Sequence, residues 1–75
     1  MITLEKKFDI YLKVGQKIKE YREEQSLTQV ELAEKINISL SYLSKIEAAN
    51  CKKSFSLDVL QEIANALNKD IKDFF

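Results

Sequence analysis

Residues 28–47, TQVELAEKINISLSYLSKIE, constrain this chain more than any other stretch. Thr28 and Glu31 have the S/T-x-x-E spacing of a capping box, in which the threonine hydroxyl accepts from a first-turn N–H and the glutamate reaches back to the cap. Leu32, Ala33 and Ile36 then share one helical face, with Glu31, Glu34 and Lys35 off it. Asn37 follows, and asparagine tolerates the left-handed conformation of a helix stop better than most non-glycine residues. Ile38 plugs the turn, Ser39 caps the next helix, and Leu43 and Ile46 recur at i, i+3 as its buried face. The spacing predicts a helix of about two turns, a tight turn and a second short helix, which is the helix-turn-helix arrangement.

Composition narrows the surroundings of that motif. Seventy-five residues allow one small domain, and a chain with no proline and a single glycine is punctuated by little except helix caps. An all-α fold is expected. Its parts are residues 1–13, an N-terminal extension of the first helix, and residues 14–75, the domain proper. No apolar run approaches the roughly 20 residues of a membrane span, and no signal-peptide pattern opens the chain. Cys51 is the one cysteine and there is no histidine, so no disulfide, metal or cofactor is expected and a reducing cytoplasm fits. With no histidine, no glycine-rich phosphate loop and no paired Cys/His set, nothing supplies an activated nucleophile or a poised base. The chain reads as a non-enzyme. Its 12 basic and 12 acidic residues give zero net charge, which argues against a bulk electrostatic grip on nucleic acid. The distribution is uneven: residues 38–55 hold Lys45, Lys52 and Lys53 against Glu47, and Asp58, Glu62, Asp70 and Asp73 weight the C-terminal part toward acid.

In residues 1–13, Leu4, Phe8, Tyr11 and Leu12 recur at helical spacing. The first helix proper is expected from Val14 to Glu24, with Val14, Ile18 and Tyr21 inward. Gly15 within it is unfavourable by up to about 1 kcal/mol relative to alanine, which a close helix–helix approach would explain. The loop 48–54 offers Asn50 as a helix stop. Ser56 caps a further helix whose stripe is Leu57, Leu60, Ile63, Ala64 and Leu67, ended by Asn68. In the last turn, Ile71 and Phe74 are placed to close the core, and Phe75 is one aromatic more than a small core needs. Phe8, Leu12, Phe74 and Phe75 are the candidate dimer surface.

The run Gln29-x-x-Leu32-Ala33-x-x-x-Asn37-Ile38-Ser39-x-x-Tyr42-Leu43-Ser44-x-Ile46-Glu47 resembles the Cro/phage-repressor (XRE-like) helix-turn-helix proteins. The likeness continues through Val14-Gly15-Gln16-Lys17-Ile18-Lys19-x-x-Arg22 and Ser56-Leu57-x-x-Leu60-x-x-Ile63-Ala64-x-Ala66-Leu67, covering roughly residues 14–75. Two glycines usual in the family are replaced, one by Asn37 in the turn and one by the Gln25-Ser26 pair before Leu27. Among relatives it looks most like small stand-alone regulators such as restriction–modification controller proteins. The resemblance implies a compact five-helix repressor-like DNA-binding domain. It implies an Arg22–Glu47 ion pair tying the first helix to the end of the recognition helix, and Gln29 set against the DNA backbone.

On that template, the residues projecting from the recognition helix are Leu40, Ser41, Ser44 and Lys45, candidates for reading base edges. Ser39, Asn50, Lys52 and Lys53 join Gln29 as candidate phosphate ligands. Tyr42 is either a further phosphate ligand or a cover over the corner between the two helices. The expected function is a sequence-specific transcriptional regulator, a homodimer on double-stranded DNA with a two-fold operator. The alternative is a protein-interaction module of the same fold, an antitoxin or an antagonist of another regulator. In that case the partner is a protein.

Overall fold

The computed structural model describes residues 4–49 and 54–75, with first-helix side chains described from residue 10 onward. Its elements are α1 (Leu4–Glu24), α2 (Gln29–Ile36), α3 (Leu40–Glu47), α4 (Leu57–Ala66) and a 3-10 turn, Ile71–Phe74. Among the described residues there is no strand. The expected fifth helix is this one turn: four residues are too few for more, and Asp70 N–H closes it by donating to the Asp73 carboxylate at 3.0 Å.

Three helices stop in the same way. Ser26, Asn37 and Asn68 have positive φ of 58°, 59° and 56°. In each case the following N–H reaches back five residues: Leu27 to Arg22 O at 3.1 Å, Ile38 to Ala33 O at 3.0 Å, Lys69 to Ala64 O at 2.9 Å. These are Schellman caps built without glycine. The residue after each left-handed position then turns back onto the domain. Leu27 and Ile38 pack on the core, and the Lys69 ammonium lies 4.6 Å from the centre of the Tyr21 ring.

The glycine is needed elsewhere. A Cβ at Gly15 would overlap the Ile46 carbonyl oxygen at the end of α3, so α1 and α3 touch backbone to backbone there. Around that contact the core holds Val14, Ile18, Leu32, Leu43, Leu60, Ile63, Leu67 and Phe74, each essentially without exposed surface. Each stabilises the fold by roughly 1.5–3 kcal/mol through removal from water. The Tyr21 ring meets Phe74 edge-on at 5.2 Å, and its hydroxyl donates to Asp73 O at 2.8 Å, locking the C-terminal turn against α1.

Three expectations change. Phe74 is fully buried and so is not dimer surface, because the 3-10 turn points it inward beneath Tyr21. Leu57, assigned to the inner stripe of α4, is 67% exposed, because as the first helical residue it precedes the turn that faces the core. The helix before the 48–54 loop ends at Glu47, where Ala48 adopts an extended backbone, and not at Asn50. Asn50, Cys51, Lys52 and Lys53 lie outside the described residues, as does the side chain of Phe8. Among the described residues, no helix is long and apolar enough to cross a membrane.

Candidate nucleic-acid interface

The start of α2 is set by Thr28, whose hydroxyl accepts from Glu31 N–H at 3.1 Å while Glu31 accepts from Thr28 N–H at 2.8 Å. The Thr28 backbone N–H, and after it the Thr28 hydroxyl, hold the Glu31 carboxyl below its ordinary pKa. Ser39 starts α3 by accepting from Tyr42 N–H at 3.0 Å, which leaves its own hydroxyl proton to donate. Each helix therefore begins with a capped end, and Gln29 is the first residue of α2.

The C-terminal end of α3 is held on all sides. Arg22 donates Nε to Glu47 Oε2 and a terminal nitrogen to Oε1, both at 2.8 Å, and its other terminal nitrogen donates to Leu27 O at 2.7 Å. Both side chains are nearly inaccessible to solvent. The bonds it donates to Glu47 push the guanidinium pKa up, so the arginine stays charged despite its burial. Gln16 Nε2 donates to Glu47 O at 3.0 Å, satisfying a carbonyl that the helix end leaves without an intrahelical partner. Among the described residues, no buried side-chain polar atom lacks a hydrogen-bond partner.

Gln29 joins this cluster. Its Nε2 donates to Glu47 Oε1 at 3.1 Å, and its Oε1 accepts from the Ser44 hydroxyl at 3.2 Å. The side chain assigned to phosphate thus bridges the ion pair and the middle of α3. One of its two amide protons faces Glu47 and the second takes no part in these bonds. Leu40 is 44% exposed, Ser41 and Lys45 are exposed, and Ser44 is half-buried beside Gln29. Tyr42 is half-buried and packs on the core. The structure therefore brings Gln29, Ser39, Leu40 and Ser41 together at the starts of two packed helices, with Ser44 in the middle of α3 and Lys45 in its last turn. Of the cations assigned to this face, Lys45 is the one within the described residues.

A second feature involves neither helix of the motif. Ile10, Tyr11 and Val14 of α1, residues Phe55, Ser56, Leu57 and Leu60 at the start of α4, and Phe75 line a groove of about 300 Å³. Ile10, Leu57 and Phe75 are 49%, 67% and 53% exposed, and Tyr11 meets Phe55 edge-on at 5.2 Å. The pattern of aromatics pointed to Phe75 here, but Ile10 and Leu57 carry no local signal that separates them from core residues.

The fold and the arrangement of α2 and α3 are those of a helix-turn-helix domain. The helix-turn-helix family model matches residues 18–74, and the chain belongs to this family, the XRE-like group that includes the phage repressors. It is similar to the immunity repressor protein of Bacillus phage phi105, 52% identical over 54 residues, which are 72% of this chain and 36% of that protein. It is 38% identical over 58 residues to the transcriptional regulator SinR of Bacillus subtilis, covering 77% of this chain and 51% of SinR. The chain thus spans between a third and half of the length of these curated relatives. Among solved structures it superimposes on the restriction–modification controller protein C.AhdI of Aeromonas hydrophila with a TM-score of 0.79 at 28% identity, covering 87% of this chain and 96% of that one. SinR in complex with DNA matches with a TM-score of 0.74 at 36% identity, over 81% of this chain and 95% of that one. SinR in complex with the SinI protein matches at 0.75 and 35% identity, over 83% and 59%.

Proposed function

We propose that this chain is a sequence-specific DNA-binding transcriptional regulator that acts as a homodimer on a two-fold operator. The observation that carries the reading is the division of α3. Its C-terminal end is tied through Glu47 to Arg22, Gln16 and Gln29, while Leu40 and Ser41 in its first turn stay outward, as does Lys45 in its last turn. Such a helix enters a major groove by its N-terminal turns, where Leu40 packs on a thymine methyl and Lys45 reaches guanine O6/N7 or a phosphate. Ser39 and the remaining amide proton of Gln29 take phosphates at the two helix starts, where free N–H groups favour anions. Asn50, Lys52 and Lys53 extend the phosphate contacts along the flank. The names of the phage repressor, of C.AhdI and of DNA-bound SinR support the same reading.

One recognition helix spans only a few base pairs, so two copies are needed for half-sites about 34 Å apart. The groove lined by Ile10, Leu57 and Phe75 is the surface we assign to the second copy. No residue of α2 or α3 lines it, so filling it leaves the DNA face free. The existence of a SinR–SinI complex favours a second reading, in which a protein partner modulates the regulator.

The test is selection of duplexes from a randomised pool, followed by titration of the selected and a scrambled duplex at two salt concentrations. Tight binding of the selected duplex alone, weakening steeply with salt, is expected. Equal weak binding of both duplexes overturns sequence-specific regulation.

A further inference from the structure

The Ser44 hydroxyl has a single proton, and the interior of the domain decides where it goes. Glu47 receives two N–H groups from Arg22 at 2.8 Å each, and a carboxylate so paired has only acceptor capacity left. The part of the Gln29 carboxamide that can face an acceptor is its nitrogen, which lies 3.1 Å from Glu47 Oε1. The Gln29 oxygen is thereby turned toward Ser44, 3.2 Å from its Oγ. An amide oxygen only accepts, so the serine must donate. The direction of each bond follows from the one before it, from Arg22 through Glu47 and Gln29 to Ser44.

An unconstrained serine donates or accepts and so tells bases apart poorly. With its proton committed to Gln29, Ser44 offers the groove lone pairs alone. We propose that Ser44 is a specificity-determining residue that accepts from an exocyclic amino group in the major groove, cytosine N4 or adenine N6. Guanine O6 and N7 and thymine O4 are acceptors and would face the serine lone pairs without a proton between them. Gln29 and Glu47 are the positioning residues that make this so. The inference rests on the DNA-binding reading above and adds to it the polarity of one contact.

Base-pair preference alone does not resolve single atoms, because an A·T pair shows both an amino group and a carbonyl. The experiment therefore deletes atoms. The base pair that depends on Ser44 is first located by comparing duplexes selected by the wild-type protein and by Ser44→Ala. At that pair the amino-bearing base is replaced by its analogue without the amino group, purine for adenine or 2-pyrimidinone for cytosine. In separate duplexes, O6 of the paired guanine or O4 of the paired thymine is removed. Removing the amino group is expected to weaken wild-type binding about tenfold while leaving Ser44→Ala nearly unaffected, as for one lost hydrogen bond. Carbonyl removal is expected to act on both proteins alike. Gln29→Met, which keeps the side-chain length and removes the amide, is expected to abolish the coupling to the amino group. Coupling of Ser44 to O6 or O4, or the absence of any Ser44-dependent pair in a protein that binds its selected duplex, overturns the inference and leaves the DNA-binding reading standing. Failure to bind any duplex overturns both. The Ser44→Ala comparison stands by itself if Gln29→Met fails to fold.

Discussion

Replacing Gly15 by alanine reverses the usual sign of that substitution. At an ordinary interior helix position, glycine to alanine stabilises by about 1 kcal/mol. Here the new methyl group overlaps the Ile46 carbonyl oxygen, a backbone atom at a helix end that no rotamer change can move. Forcing atoms into such a contact is unfavourable by about 1–3 kcal/mol. Relief requires α1 and α3 to separate, which stretches the bonds from Gln16 to Glu47 O and from Arg22 to the Glu47 carboxylate. Weakening them adds about 1 kcal/mol or more, since the ion pair is buried and leaves charge without a partner. Setting the propensity gain against these losses leaves a net destabilisation of about 1–3 kcal/mol. In a domain of this size each 1 kcal/mol moves Tm by about 4–8 °C. Gly15→Ala should therefore melt about 5–20 °C below the wild type when followed by far-UV circular dichroism, with the same denaturant m-value. A Tm equal to or above the wild type would refute the backbone contact between α1 and α3.

Ser26→Gly should raise stability by about 0.5–1 kcal/mol in urea titration: it relieves a left-handed cost of about 1–2 kcal/mol, partly offset by the greater freedom of glycine when unfolded. Asn37→Gly should gain less, because asparagine tolerates the same conformation better. Because the folded-state pKa of Glu31 is depressed, its carboxylate stabilises the fold above its unfolded pKa, and that stability is lost as pH falls through the folded value. Wild type should therefore exceed Glu31→Gln in Tm at neutral pH, with the difference vanishing in acid; a constant difference across pH would count against the capping role. Leu57→Glu should leave Tm almost unchanged, since the side chain is 67% exposed, while converting dimer to monomer in sedimentation velocity. Persistence of the dimer would locate the interface elsewhere. Lys45→Ala should weaken binding of the selected duplex by about 1–3 kcal/mol in a fluorescence titration, and unchanged affinity would remove Lys45 from the interface.

What could be read in the sequence was local. Thr28 with Glu31, Ser39 and Ser56 mark helix starts because a cap uses residues within one turn, and all three caps form. Asn37 marks a stop for the same reason, and it is left-handed. Ser26 does the same work without carrying the signal, because tertiary packing of Leu27 holds a residue that has little preference for that conformation. Gly15 was readable as a close approach, but its neighbour, 31 positions away at Ile46, was not. The Arg22–Glu47 pair spans 25 positions, and only the family resemblance pointed to it. The bonds that make a cluster of Gln29, Ser44 and Glu47 join residues 15 and 18 positions apart, set by the angle between α2 and α3. Phe74 and Phe75 are chemically identical, and the pitch of one 3-10 turn alone sends the first inward and the second to the surface.

The anchoring of Glu47 makes α3 a cantilever, fastened at its last turn and open at its first. Rewriting Leu40, Ser41 and Lys45 leaves the fastening untouched, since none of these side chains takes part in the bonds that hold Glu47. The bonds that hold Glu47 and the outward side chains Leu40 and Ser41 thereby sit at opposite ends of eight residues of helix. A library randomised at the open end should yield folded proteins with altered DNA preferences. The same library placed at the fastened end should yield mostly unfolded ones.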